Sequence, residues 1–117
     1  MAAIEVRELV KSYGQLRAVD GISFTVEPGQ VFGMLGPNGA GKSTTTEIVE
    51  GLRRPDSGSV SVLGVDVLRH PEAVKQRIGV QLQTTALFQK QTTRELVALF
   101  GSFFQRSLPP DELLALV

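Results

Sequence analysis

The sequence contains no cysteine and no tryptophan, and only one tyrosine and one histidine. Without thiols there are no disulfides and no thiolate metal sites, as fits a reducing compartment. A lone histidine, His70, has no partner residues for a metal site and reads as a surface cap at a helix entry. No charge sign is in excess either: twelve Lys and Arg stand against twelve Asp and Glu. Such a chain has no basic surplus to lay along a phosphate backbone, so no nucleic acid is expected as partner. Long hydrophobic runs are missing as well. Glu5, Arg7 and Glu8 interrupt the first apolar residues, where a secretion signal would need an unbroken core. The longest apolar stretch, residues 96–104, is broken by Gly101 and Ser102 and falls far short of the roughly 20 residues that cross a bilayer. Any membrane role is expected to run through a partner.

What remains is ordinary material for a folded domain. With 42% hydrophobic and 21% charged residues over 117 positions, the chain can bury one core and is not expected to be disordered. Ile4, Val6, Leu9 and Val10, interleaved with Glu5, Arg7 and Glu8, read as a half-buried strand. A second strand is predicted over residues 18–26, with Ile22, Phe24 and Val26 on one face, closed by Glu27-Pro28-Gly29. Residues 31–35, Val-Phe-Gly-Met-Leu, are continuously apolar and predict a strand buried on both faces. A helix is expected over residues 42–52, stopped by Arg53-Arg54-Pro55.

Asp56-Ser57-Gly58 then turns into an alternating strand over residues 59–63, and Gly64-Val65-Asp66 turns again. His70-Pro71-Glu72 opens a short helix, residues 78–82 read as a strand, and residues 83–91 as a polar loop. Thr92 and Glu95 have capping-box spacing and start a helix running to about residue 104. Pro109-Pro110-Asp111 opens a last one, with acids in its first turn. Leu113, Leu114, Leu116 and Val117 bring no stop signal, so the sequence is expected to end in mid-element.

The chemistry is concentrated in Gly36-Pro37-Asn38-Gly39-Ala40-Gly41-Lys42-Ser43-Thr44, a full match to the phosphate-binding pattern G-x-x-x-x-G-K-[ST]. It lies between an apolar run and a helical segment, as its mechanism requires. A triphosphate needs several backbone N–H groups aimed at it, and glycines let the backbone come close enough. The following helix adds unpaired donors and the positive end of its dipole. Lys42 then reaches the β- and γ-phosphates, and the Ser43 hydroxyl completes a Mg²⁺ shell. Two further positions have two readings each. Tyr13 can stack on a base or pack its ring on the domain edge. Gln83, at the end of a predicted strand, can touch Mg²⁺ and orient water or be an exposed loop residue.

Together these residues resemble the ATP-binding cassette (ABC) ATPases over essentially the whole chain. Gly36 to Thr44 is that family's own form of the P-loop. Tyr13-Gly14 through Ala18-Val19-Asp20-Gly21-Ile22-Ser23-Phe24 resembles its first hairpin, Gly51-Leu52 with Pro55-Asp56-Ser57-Gly58 and Leu63-Gly64 its segment after the P-loop helix. Ile78-Gly79-Val80 leading to Gln83 resembles the Q-loop, and Thr92-Thr93-Arg94-Glu95 the opening of the helical subdomain. The resemblance implies that Tyr13 stacks on adenine and that Gln83 touches Mg²⁺ and senses the γ-phosphate. Residues 48–55 look most like cassettes that serve multidrug or antibiotic exporters. Two places depart from the family pattern: Thr84 stands where Glu is common and Gln89 where Pro is common.

The family's signature motif, its Walker B strand ending in Asp-Glu and its switch histidine have no counterpart in the sequence. Residues 62–66 resemble a Walker B strand only superficially, because Gly64 breaks the run and no Glu follows Asp66. The group that activates water for hydrolysis is thus not identified here, and no catalytic residue is assigned, with Gln83 a candidate for water positioning.

The expected fold is α/β, a P-loop NTPase core with an N-terminal antiparallel β subdomain, cut at the start of the helical subdomain. The β subdomain and core are expected over about residues 1–91 and the helical part over about 92–117. The expected nucleotide contacts are Tyr13, Gly36, Pro37, Asn38, Gly39, Ala40, Gly41, Lys42, Ser43, Thr44 and Gln83, with Ser43 and Gln83 on the metal. The resemblance implies ATP and Mg²⁺ as ligands, a transmembrane permease as partner and a second nucleotide-binding domain paired head to tail. It places the protein peripherally on the inner face of the cell membrane, in a transporter, with export the expected direction. A soluble ABC protein acting on DNA or ribosomes, and a truncated, non-catalytic nucleotide binder, are the alternatives.

Overall fold

The structure, a computed structural model, describes residues 1–37, 41–82 and 89–117. They fall into two compact units, Met1–Val80 and Gln81–Val117. The first is built on a four-stranded antiparallel sheet in the order β2-β1-β3-β4, formed by β1 (Ile4–Tyr13), β2 (Leu16–Val26), β3 (Ser57–Val62) and β4 (Val65–Asp66). Two helices accompany it, α1 (Lys42–Val49) and α2 (Pro71–Lys75).

The long hairpin β1–β2 runs from Ile4↔Val26 to Tyr13↔Leu16, and β3 adds to the other edge of β1 with Ile4 opposite Val62. Strict alternation along β1 would send Val6 and Leu9 to opposite faces. Both are fully buried, because a bulge at Glu8 (φ 47°) adds a residue and resets the phase. Ser23 Oγ accepts the Glu8 N–H that the bulge takes out of the ladder, at 2.8 Å. Val6, Leu9, Val19, Val60 and Val62 from the sheet meet Ile48 of α1, Val74 of α2 and Val67 in one buried cluster.

α1 ends three residues before the predicted position. Its last turn closes in a Schellman arrangement: Leu52 N–H donates to the Glu47 carbonyl at 2.9 Å and Gly51 N–H to that of Ile48 at 3.1 Å. Gly51 supplies the left-handed residue this needs (φ 79°), so the glycine rather than Pro55 stops the helix. The expected turn at residues 64–66 is a tight hairpin, in which Val65 and Asp66 pair with β3. Asp66 Oδ1 accepts the N–H groups of Leu68 at 2.9 Å and Arg69 at 3.3 Å, and so serves as a local turn brace.

Two predicted strands are not formed. Residues 31–37 and 78–82 pair with no strand among the described residues. Val31 is 97% and Leu35 95% exposed, the reverse of a strand buried on both faces. A strand of that kind depends on hydrogen-bonded neighbours on both sides and on layers covering both faces. The sheet present here is antiparallel, and its members are β1 to β4. Phe32 stacks on Phe24 with ring centroids 4.9 Å apart, and Ile78 packs against the core cluster.

The second unit contains α3 (Thr93–Gly101) and α4 (Pro110–Leu114). The predicted capping box is made in full: Thr92 Oγ1 accepts the Glu95 N–H at 3.1 Å, and Glu95 Oε1 accepts the Thr92 N–H at 3.4 Å. Beyond Gly101 the bonding shortens to i→i−3, from Phe103 N–H to the Phe100 carbonyl and from Phe104 N–H to that of Gly101. The helix therefore stops before residue 104. Arg94 forms an ion pair with Asp111, joining the two helices.

Candidate functional site

Three of the nine P-loop positions, Asn38, Gly39 and Ala40, lie outside the described residues, as does Gln83. The others mark out the joint between the extended segment ending in Gly36-Pro37 and the first turn of α1. Gly41 stands at the N-cap with φ 87°, a conformation that side chains disfavour. Its Cα faces the backbone of β2: a Cβ there would run into the Ala18 carbonyl and lie 3.4 Å from Val19 Cγ2. The second glycine of the G-x-x-x-x-G pattern is thus demanded twice over, by torsion and by space.

α1 starts without a side-chain cap and with no acidic residue in its first turn. The first N–H groups of a helix have no partner inside it, and an anion is the acceptor they and the dipole favour. Lys42 Nζ donates to the Gly36 carbonyl, six residues earlier in the chain. Ser43 is exposed, while Thr45 is buried and locks the helix onto the sheet side with Ile48. Thr46 Oγ1 donates back to the Lys42 carbonyl at 2.9 Å. A cavity of about 430 Å³ opens beside the joint, walled by Gly41, Lys42 and Thr45 on one side and by residues 17–20 of β2 on the other. That size suits a small ligand. Tyr13 is not among the residues that line it.

The arrangement fits Mg²⁺ carried in with a phosphate, not a free cation. Among the described residues no group of three His, Cys, Asp or Glu comes together. The exposed Ser43 hydroxyl, next to helix N–H donors, would supply one neutral ligand, with phosphate oxygens and waters as the others.

Tyr13 itself sits at the end of β1, 41% exposed, among four charged side chains. Lys11 Nζ is 5.4 Å and the Arg53 guanidinium 5.5 Å from its ring centroid. Glu47 of α1 binds Arg53 Nε at 2.6 Å, and Asp56 lies 3.5 Å from Lys11 Nζ. The Glu47 hydrogen bond, with that carboxylate's charge, holds the Arg53 guanidinium above its already high pKa. Partial burial, then the nearby Glu47, raises the Glu50 carboxyl above the ordinary glutamate value. Lys11, Arg53 and Glu47 carry no local signature in the sequence, and Asp56 reads only as a turn residue. Lys11 is two residues from Tyr13 on the same strand, the one spacing that points to it. His70 is exposed at the N-cap of α2 without a side-chain cap bond.

Residues 19–115 match the ABC transporter family, and the chain belongs to it. It is 45% identical over 105 residues to the Nod factor export ATP-binding protein I of Rhizobium meliloti (strain 1021), covering 90% of this chain and 31% of that protein. The protein of the same name from Paraburkholderia xenovorans (strain LB400) is 43% identical over 106 residues, covering 91% and 35%. Among solved structures, an ATP-binding subunit of an ABC transporter superposes with TM-score 0.80 at 28% identity, covering 90% of this chain and 44% of the other. A nucleotide-free ATP-binding cassette from an ABC transporter gives TM-score 0.74 at 29% identity, covering 98% and 46%. The chain therefore spans about a third of the length of these curated relatives. The antiparallel β part with its P-loop helix is that of ABC ATP-binding domains.

Proposed function

We propose that this chain binds MgATP as the nucleotide-binding part of an ABC transporter, and that ATP binding and hydrolysis in the complete assembly drive export. The carrying observation is the joint at Gly41, where a motif glycine is packed against Ala18 and opens an uncapped helix beside Lys42 and Ser43. Lys42 leaves the Gly36 carbonyl for the β- and γ-phosphates, while the backbone N–H groups of the motif, Pro37 excepted, and the α1 N-terminus hold their oxygens. The Ser43 hydroxyl ligates Mg²⁺, which screens phosphate charge when bound. Tyr13 stacks on adenine, and Gln83 meets the metal and positions water. Residues 1–91 act as β subdomain and P-loop core, and residues 92–117 begin the helical subdomain.

The partners in this reading are a transmembrane permease and a second nucleotide-binding domain, head to tail, on the inner face of the membrane. No described helix is long and apolar enough to cross a bilayer. The names of the relatives, which are export ATP-binding proteins, support the direction of transport. Lys42→Ala in the intact transporter tests it: ATP-driven export, read as uptake of substrate into inside-out vesicles, should be abolished. Export at the wild-type rate would refute the assignment.

A further inference from the structure

Tyr13 is the residue this account gives to the base, yet it projects from a hairpin end, where an exposed ring has little to hold it. The structure shows what holds it. Arg53 lies against the ring at 5.5 Å, a cation–π distance, and Glu47 grips Arg53 at 2.6 Å from within α1. The backbone around the ring is tied to the same stretch of chain: Asp56 Oδ2 accepts the Ser12 N–H at 2.7 Å, and Asp56 N–H donates to the Val10 carbonyl at 2.8 Å. Lys11, the second cation at the ring, is held by Asp56. Beyond the hairpin pairing with β2, the contacts that fix Lys11, Ser12 and the Tyr13 ring thus come from α1 and the residues that follow it.

That helix is also the one whose first turn carries Lys42 and Ser43. Eight residues of α-helix make a rod about 12 Å long, stiff on the scale of a nucleotide. One end presents phosphate ligands, and the other, through Glu47 and Arg53, presents the ring.

We infer that Arg53, oriented by Glu47, is a positioning residue for base recognition: it sets the Tyr13 ring at a fixed spacing from the phosphate-binding start of α1. The inference rests on the MgATP reading above. It makes Arg53 matter for ligands that carry a base and not for the phosphate chain alone.

The experiment compares dissociation constants of the intact protein for MgATP and for Mg-tripolyphosphate, which has the phosphates and no base. Arg53→Ala should weaken MgATP about five-fold and leave tripolyphosphate unchanged. Arg53→Lys, which keeps a cation at the ring, should recover most of the loss. In a Tyr13→Ala background the Arg53→Ala change should have no further effect on MgATP. Equal MgATP affinity of Arg53→Ala and wild type overturns the inference alone. Parallel loss of both ligands also overturns it, since that reports general damage to α1. A wild-type protein that binds neither ligand overturns the MgATP reading, and the inference falls with it.

Discussion

The Ala18 carbonyl lies where a Cβ on Gly41 would have to go. A β2 backbone group thereby sets how closely the P-loop can approach the sheet, and the spacing of the phosphate motif is bound to the packing of the first hairpin. Gly41→Ala would add a side chain at φ 87°, costing about 1–3 kcal/mol, and force a shift against Ala18 costing a further ~1–3 kcal/mol. Urea unfolding of the intact protein should show this loss together with loss of MgATP binding. An unchanged midpoint would contradict the packing.

Ile48 is fully buried between α1 and the sheet. Ile48→Ala should cost about 2–5 kcal/mol through lost burial and the cavity left behind. Thr46→Ala, at an exposed position of the same helix, should change stability by less than about 1 kcal/mol. Similar losses for the two variants would mean that α1 does not pack through Ile48.

Glu50 gives a pH dependence whose sign follows from its environment. Its folded-state pKa is raised by partial burial and by Glu47, so the folded chain holds that proton more tightly than the unfolded one. The site therefore opposes folding at neutral pH. This opposition fades as pH falls through the raised folded pKa and is gone below the ordinary glutamate value. Glu50→Gln should unfold at higher urea than wild type at pH 7, with the gap closing toward pH 4. A gap that widens on acidification would reverse the assignment.

In the second unit the capping box is the testable element. Thr92→Ala removes the acceptor for the Glu95 N–H and should raise amide exchange rates across α3, equivalent to about 1 kcal/mol of local stability. Thr92→Ser should exchange like wild type. Uniform exchange in all three proteins would show that the box contributes nothing.

Features written in adjacent residues were legible in the sequence. The Thr92–Glu95 box, the hairpin alternation, Pro71 at the start of α2 and the nine-residue phosphate motif each depend on neighbours a few positions apart. The features not legible there depend on distant chain. The run at residues 31–35 has strand composition, but pairing requires partners, and the described strands pair with one another. The Glu8 bulge is a matter of register with β2 and β3, invisible in β1 alone. The candidate site follows the same division. Lys42 and Ser43 announce themselves by motif, whereas Arg53 reaches Tyr13 across 40 positions of sequence, and no local pattern foretells that contact.

The central claim is that the Gly41–Lys42 joint is a MgATP site. Isothermal titration of the intact protein with MgATP, beside Lys42→Ala, tests it most directly. Wild type should bind saturably and the variant at least ten-fold more weakly, since a phosphate-bound ammonium is lost. Identical isotherms for the two proteins would contradict it.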